Sequence, residues 1–198
     1  MLDVVTSVLI SIKPQYCGAI LNGEKNLELR KSVPKLGRPF KAYIYCTKPG
    51  ERLLDIIRPG DDVYGETYKG DSKIFIKTPK PYPYWVEPGK IVGEAIVKDI
   101  REVTLNGDMK ALYGGETPDG LYTRVTVDEF LRYRGKGHVY GWKLEDIRRY
   151  EKPVTLKWFR VSRPPQSWQY VTIDRSDTIR LERTGGTKED DRTRIVLD

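Results

Sequence analysis

The sequence has little of the residues on which most metal and covalent chemistry depends. It holds one histidine, His138, and two cysteines, Cys17 and Cys46. One histidine excludes a multi-histidine metal site, and a Ser–His–Asp triad could be built only on His138. That residue follows Gly135 and Gly137, so a solvated turn leading into a strand is expected there. Two cysteines this far apart fit no CxxC pair, zinc site or disulfide framework. Both are expected as reduced core residues, with a single bridge as the lesser alternative. No metal and no cofactor is expected. No apolar run approaches the length of a bilayer span. Residues 1–12 lack the basic segment and long apolar core of a signal peptide. The expected compartment is therefore the cytoplasm. Acidic charge is also short: 28 Asp and Glu stand against 35 Lys and Arg, a net charge of +7. Such an excess either keeps a protein soluble or marks an anionic partner, nucleic acid foremost.

The 198 residues suffice for one packed domain with an appendage. Residues 4–13 form a Val/Leu/Ile-rich run that predicts a buried strand ending at Pro14, which suits the first turn of a helix. A short helix over 15–22 then stops at Gly23. Residues 27–31 alternate Leu27, Glu28, Leu29, Arg30, the period of a strand. A strand over 40–47 is bracketed by the Pro/Gly-bearing stretch 31–39 and by Pro49–Gly50. Short strands are expected near Val63–Tyr64 and Ile74–Ile76, and one helical turn over 53–57. The run 78–88 holds Pro79, Pro81, Pro83 and Pro88 and predicts an extended loop. A long strand is expected over 90–103 and an irregular segment over 105–120. Thr126 with Glu129 three residues on has capping-box spacing, opening a helix that stops at Gly135. Strands over 139–147 and 154–159 complete this part.

The division expected is a domain over 1–162 and a C-terminal extension over 163–198 that packs on it and is partly mobile. Trp168, near Pro164 and Pro165, is its expected anchor, and a hairpin is expected within 179–197. From residue 175 onward basic and acidic residues balance, so the first 174 carry the excess charge. Six or more short strands and two short helices, with no βαβ rhythm, predict an α+β fold. Its expected form is a small mixed β-barrel with two or three short helices at its ends.

The chemistry concentrates in Gly23-Glu24-Lys25-Asn26-Leu27-Glu28-Leu29-Arg30. A strand starting at Leu27 would project Glu28 and Arg30 from one face, with Lys25 in the turn before them. Two cations and a carboxylate so arranged can clamp a phosphate or the polar edge of a base. They can equally form an exposed salt-bridge cluster, which spacing alone favours. Tyr43 and Tyr45 on one strand face, with Tyr82, Tyr84 and Trp85 near Lys77 and Lys80, suit stacking on unpaired bases. Trp85 and the prolines can equally pack as a lid over the barrel end. Trp142 and Trp158 are expected in the core. Arg148, Arg149 and Lys152 form a basic edge.

Gly23–Arg30 resembles the G-x-K-x-x-E-x-R signature of ASCH domains. Lys13-Pro14 ahead of it, residues 40–49, Gly93-Glu94-Ala95, and Tyr140-Gly141-Trp142 with Pro153 resemble the family's other landmarks, over roughly residues 7–160. The resemblance implies a PUA-like barrel with a cleft lined by the signature residues, and RNA or nucleotide binding. A branch of amidohydrolases in the family acts on acetylated cytidine through a turn lysine, a threonine and a strand glutamate. Here the lysine corresponds to Lys25 and the glutamate to Glu94, but Glu28 stands at the threonine position, so the hydroxyl is missing.

The expected function is thus a binding module for RNA, a nucleotide or single-stranded nucleic acid. Its candidate ligand contacts are Lys13, Lys25, Glu28, Arg30, Tyr45 and Trp85. The alternative is a hydrolase of a modified nucleoside or of RNA, with Lys25, Glu28 and Glu94 as candidate catalytic groups. A third expectation is an adaptor that binds proteins through residues 164–168 and the tail.

Overall fold

The computed structural model describes residues 4–48, 63–69, 72–78, 86–105 and 120–174. Strand β1 (Val4–Ile12) buries Val8, Ile10 and Ile12 on one face and Leu9 on the other. A strand covered on both faces needs no alternation, which explains its unbroken apolar run. Pro14 takes the first position of helix α1 (Pro14–Leu21), which presses Cys17, Ile20 and Leu21 onto the sheet. Gly23 ends it with φ +76°, the left-handed turn that glycine adopts freely. Strands β2 (Leu27–Arg30) and β3 (Phe40–Cys46) follow.

Strands β4 (Val63–Lys69) and β5 (Ser72–Thr78) pair as a separate antiparallel hairpin. Then come β6 (Ile91–Glu102), helix α2 (Val127–Arg134), β7 (Tyr140–Val154), a 3-10 turn (Leu156–Phe159) and β8 (Trp168–Asp174). Six strands form one sheet in the order β2-β7-β6-β3-β1-β8. β1 runs parallel to β3, and every other pairing in the sheet is antiparallel. The α+β class holds. The barrel implied by the resemblance would pair β2 with β8, and among the described residues no ladder joins them. Side chains bridge the two edges instead: Arg30 reaches Ser167, and the Trp168 indole donates to Ser32 Oγ at 2.9 Å.

The sheet carries a core on each face. Ala42, Ile44 and Cys46 of β3 point into the larger cluster, with Trp142 and helix α1. Tyr43 and Tyr45 point the other way, among Leu9, Ile91, Tyr150, Phe159 and Val171. Both tyrosines are buried, so they serve as core and not as an exposed platform. The 3-10 turn covers them, with Phe159 edge-on to Tyr43 at 4.6 Å. The sequence pattern predicts a strand over 154–159. The chain instead leaves the sheet at Val154, where β6 ends its pairing, and coils so that Leu156 and Phe159 face the same cluster.

Trp142 is fully buried as expected, while Trp158 is half-buried on the 3-10 turn. Both cysteines are free and buried. Trp168 packs on Trp142 at 5.9 Å, as an anchor should, but from within a strand. Residues 168–174 are thus strand β8 of the main sheet, hydrogen-bonded along β1. The expected hairpin within 179–197 and helical turn over 53–57 lie outside the described residues, as do Tyr82, Tyr84, Trp85 and Lys80.

Candidate functional site

Lys25 and Asn26 form the turn between α1 and β2, and the chain at 120–123 holds that turn from outside. Asn26 donates to Gly120 O and accepts from Tyr122 N, and the Tyr122 hydroxyl donates to Gly23 O. The Lys25 side chain is consequently drawn inward and only 1% exposed. Its ammonium donates to Leu27 O at 2.6 Å and Thr123 O at 2.7 Å, and lies 3.2 Å from Glu28 Oε2. Those three acceptors match its three protons. Burial lowers the Lys25 pKa below the ordinary lysine value, against the opposing pull of Glu28.

Glu28 and Arg30 leave β2 on one face, and both are nearly buried. Glu28 Oε1 accepts from Arg30 Nη2 at 2.8 Å. The same nitrogen donates to Ser11 O at 2.6 Å, and Nη1 reaches Ser167 O and Oγ at 3.3 Å. The guanidinium Nε is buried without a hydrogen-bond partner. Lys25, Glu28 and Arg30 therefore form one continuous network with one surplus positive charge.

Two tyrosines border this network, one from each helix. Tyr16 of α1 lies under the Lys25 ammonium, 5.5 Å from ring centroid to Nζ, and its hydroxyl donates to Glu129 Oε1 at 3.4 Å. Burial, reinforced by the Glu129 and Glu28 carboxylates, pushes the Tyr16 pKa up to about 12. Glu129 is fixed by the capping box with Thr126, whose backbone N–H holds the carboxyl below its usual range. One turn further along α2, Tyr133 shares that face. Its ring carries the Lys31 ammonium at 5.3 Å, and burial raises its pKa, with smaller influences from the charges of Arg30 and Glu28. Tyr16 and Tyr133 thus flank the network from α1 and α2. Neither Tyr16 nor Tyr133 stands out in the sequence. The available signal was the capping box, which fixes the face of α2.

The remaining candidates lie elsewhere. Lys13 is exposed at the N-terminal end of α1. Tyr45 lies in the opposite core, and Trp85 lies outside the described residues. Glu94 does not join Lys25. It opposes Tyr43 across the β3–β6 ladder and so shares that face of the sheet. There its carboxylate is buried, 3.0 Å from Lys41 Nζ, and accepts from the Tyr150 hydroxyl at 2.7 Å. The signature trio faces the α1 side, since Glu28 opposes Trp142. His138 is exposed and paired with Glu102 at 2.7 Å. Among the described residues no group of three His, Cys, Asp or Glu could hold a metal ion. Nor is any helix among them long and apolar enough to cross a membrane.

This arrangement of sheet and helices matches solved structures. An ASCH protein from Zymomonas mobilis superposes with a TM-score of 0.56 at 17% identity, over 91% of this chain and 96% of that one. Two point mutants of that protein give the same TM-score at 16% identity, one covered over 99% and the other over 96% of its length. The chain has the ASCH fold. No family model matches the sequence, and no curated protein does. With so few residues shared, the likeness to these ASCH structures lies in the path of the backbone.

Proposed function

We propose that this ASCH-fold chain is a binding module for RNA or a nucleotide, seated in the cleft between α1, β2 and α2. The observation that carries the proposal is the pair Tyr16 and Tyr133 bordering the Glu28–Arg30 network, whose Arg30 Nε has no partner. Aromatic faces suit stacking on unpaired bases. Both Arg30 Nη nitrogens are engaged within the chain, so its Nε is the donor left for the polar edge of a base, with Glu28 as an acceptor beside it. Lys31, Lys13 and Arg132 are exposed around the two helices and suit phosphate. Lys25 acts indirectly: with all three protons engaged, it holds Glu28 in place. The two free buried thiols suit a reducing compartment, so the cytoplasm is the proposed location.

Hydrolysis of a modified nucleoside or of RNA is the second reading. It is favoured by one observation, the desolvated Lys25 ammonium beside the Glu28 carboxylate. Glu28 would then be the base, since Glu94 faces the other side of the sheet.

Fluorescence anisotropy with a labelled single-stranded RNA at low salt tests binding. Tyr133→Ala and Lys31→Ala are expected to weaken it, and Lys31→Ala to reduce the salt slope by about 1. Equal affinity for wild type and both variants would sink the proposal. Product formed from modified nucleosides or RNA, and lost in Glu28→Gln, would establish hydrolysis.

A further inference from the structure

Among the described residues, the exposed large hydrophobic side chains that are aromatic are Tyr133 and Tyr170, at 38% and 45% exposure. They come from α2 and β8, far apart in sequence, yet both meet one loop. The Tyr133 ring lies 5.3 Å from the Lys31 ammonium, and the Tyr170 hydroxyl accepts from Lys35 N at 2.6 Å. This loop joins β2 to β3 and runs over the seam between the sheet's two edges. From Arg30 to Lys41 it carries five cations and no acidic residue. Lys31, Lys35 and Arg38 are exposed, and Arg38 turns aside to Asp99 and Ile100 O.

Tyr170 is also braced. Trp168 meets it edge-on at 5.4 Å, packs on the buried Trp142 at 5.9 Å, and donates its indole N–H to Ser32. An aromatic ring held rigid and left in water is poorly explained by core packing. It suits a stacking surface, which loses little conformational freedom on binding.

We infer that a single strand of RNA leaves the cleft at Tyr133 and crosses the seam along Lys31 and Lys35 to stack on Tyr170. This extends the proposed cleft and rests on it. Lys31 and Lys35 are four residues apart, a backbone reach of at most about 14 Å. That distance accommodates roughly four nucleotides at a stacked rise of about 3.4 Å. Unpaired bases are required because a duplex keeps its faces stacked inside and offers these rings nothing.

The test compares a labelled dinucleotide with a labelled octanucleotide of single-stranded RNA, on the full chain. Tyr170→Ala is expected to weaken the octanucleotide about tenfold, the scale of one lost stacked base, and to leave the dinucleotide unchanged. Lys35→Glu, which leaves the Tyr170 ring and the Lys35 backbone in place, is expected to do the same. Tyr133→Ala weakens both probes. If both seam variants keep wild-type affinity for the octanucleotide while Tyr133→Ala weakens both probes, the strand path is wrong and the cleft stands. If wild type binds neither probe, or Tyr133→Ala alters neither, cleft and path fall together.

Discussion

Arg30 on β2 donates to the carbonyl oxygen of Ser11 on β1 at 2.6 Å, so one guanidinium joins two strands that share no ladder. It also reaches Ser167 at the entrance to β8 and neutralises Glu28. A planar fork with several donors can serve these acceptors at once, which a lysine cannot.

Arg30→Ala is therefore expected to destabilise the fold by about 3–5 kcal/mol, because Glu28 and two backbone carbonyls lose a buried partner. Urea unfolding checks this through the midpoint at unchanged slope. Arg30→Lys should recover only a minor part. A loss below about 1 kcal/mol for Arg30→Ala would mean that the guanidinium behaves as an ordinary surface pair.

Tyr16 supplies the pH dependence. Its pKa is raised from 10.0 to about 12 in the folded chain. Between those values the unfolded chain gives up the phenolic proton while the folded chain keeps it. The stabilisation is therefore complete below pH 10 and declines as pH rises toward 12. Phenolate absorbance during alkaline titration should show a late step to which Tyr16 contributes beside Tyr45 and Tyr133, and Tyr16→Phe should reduce it by one tyrosine. A wild-type titration without it would place the hydroxyl in water.

Gly93→Ala tests the packing of α1 on the sheet. A Cβ at Gly93 would strike the Arg148 carbonyl oxygen and come within 2.7 Å of Leu21 Cδ2. One of these neighbours is backbone in a paired strand, so relief requires shifting β7 or α1. The expected cost is about 1–3 kcal/mol, read from thermal unfolding. Gly37, with open space around its Cβ position, is the control and should lose little on substitution by alanine.

Much of this fold is written locally in the sequence. Leu27, Glu28, Leu29 and Arg30 alternate as a strand must, and Glu28 and Arg30 do share a face. Thr126 and Glu129 form the capping box their spacing announces. The burial of Lys25 is not local: one of its carbonyl partners belongs to Thr123, across the chain. A lysine beside polar residues is ordinarily a solvated one, and only the closing contact at 120–123 makes it otherwise.

Glu94 illustrates a different obstacle. Strand β6 shifts register three times against β7, between Ile91 and Gly93, Glu94 and Ile96, and Val97 and Asp99. Each irregularity re-aims the side chains beyond it, so alternation counted along the sequence does not carry a face from one end to the other. Tyr43 and Tyr45 were legible as one face of β3. That this face is covered depends on the 3-10 turn that brings Phe159 over it, far along the chain.

The neighbourhood of β1 and β8 bears on how the molecule is made. Val8 pairs with Ala42 on one side and with Tyr170 on the other. A nascent chain emerging from the ribosome can align its first strand with β3 early, but must then wait for nearly all of β6, α2 and β7 before the opposite edge is taken. During that interval β1 offers bare amides and carbonyls to any extended peptide nearby, and a seam completed so late makes folding of the whole slow.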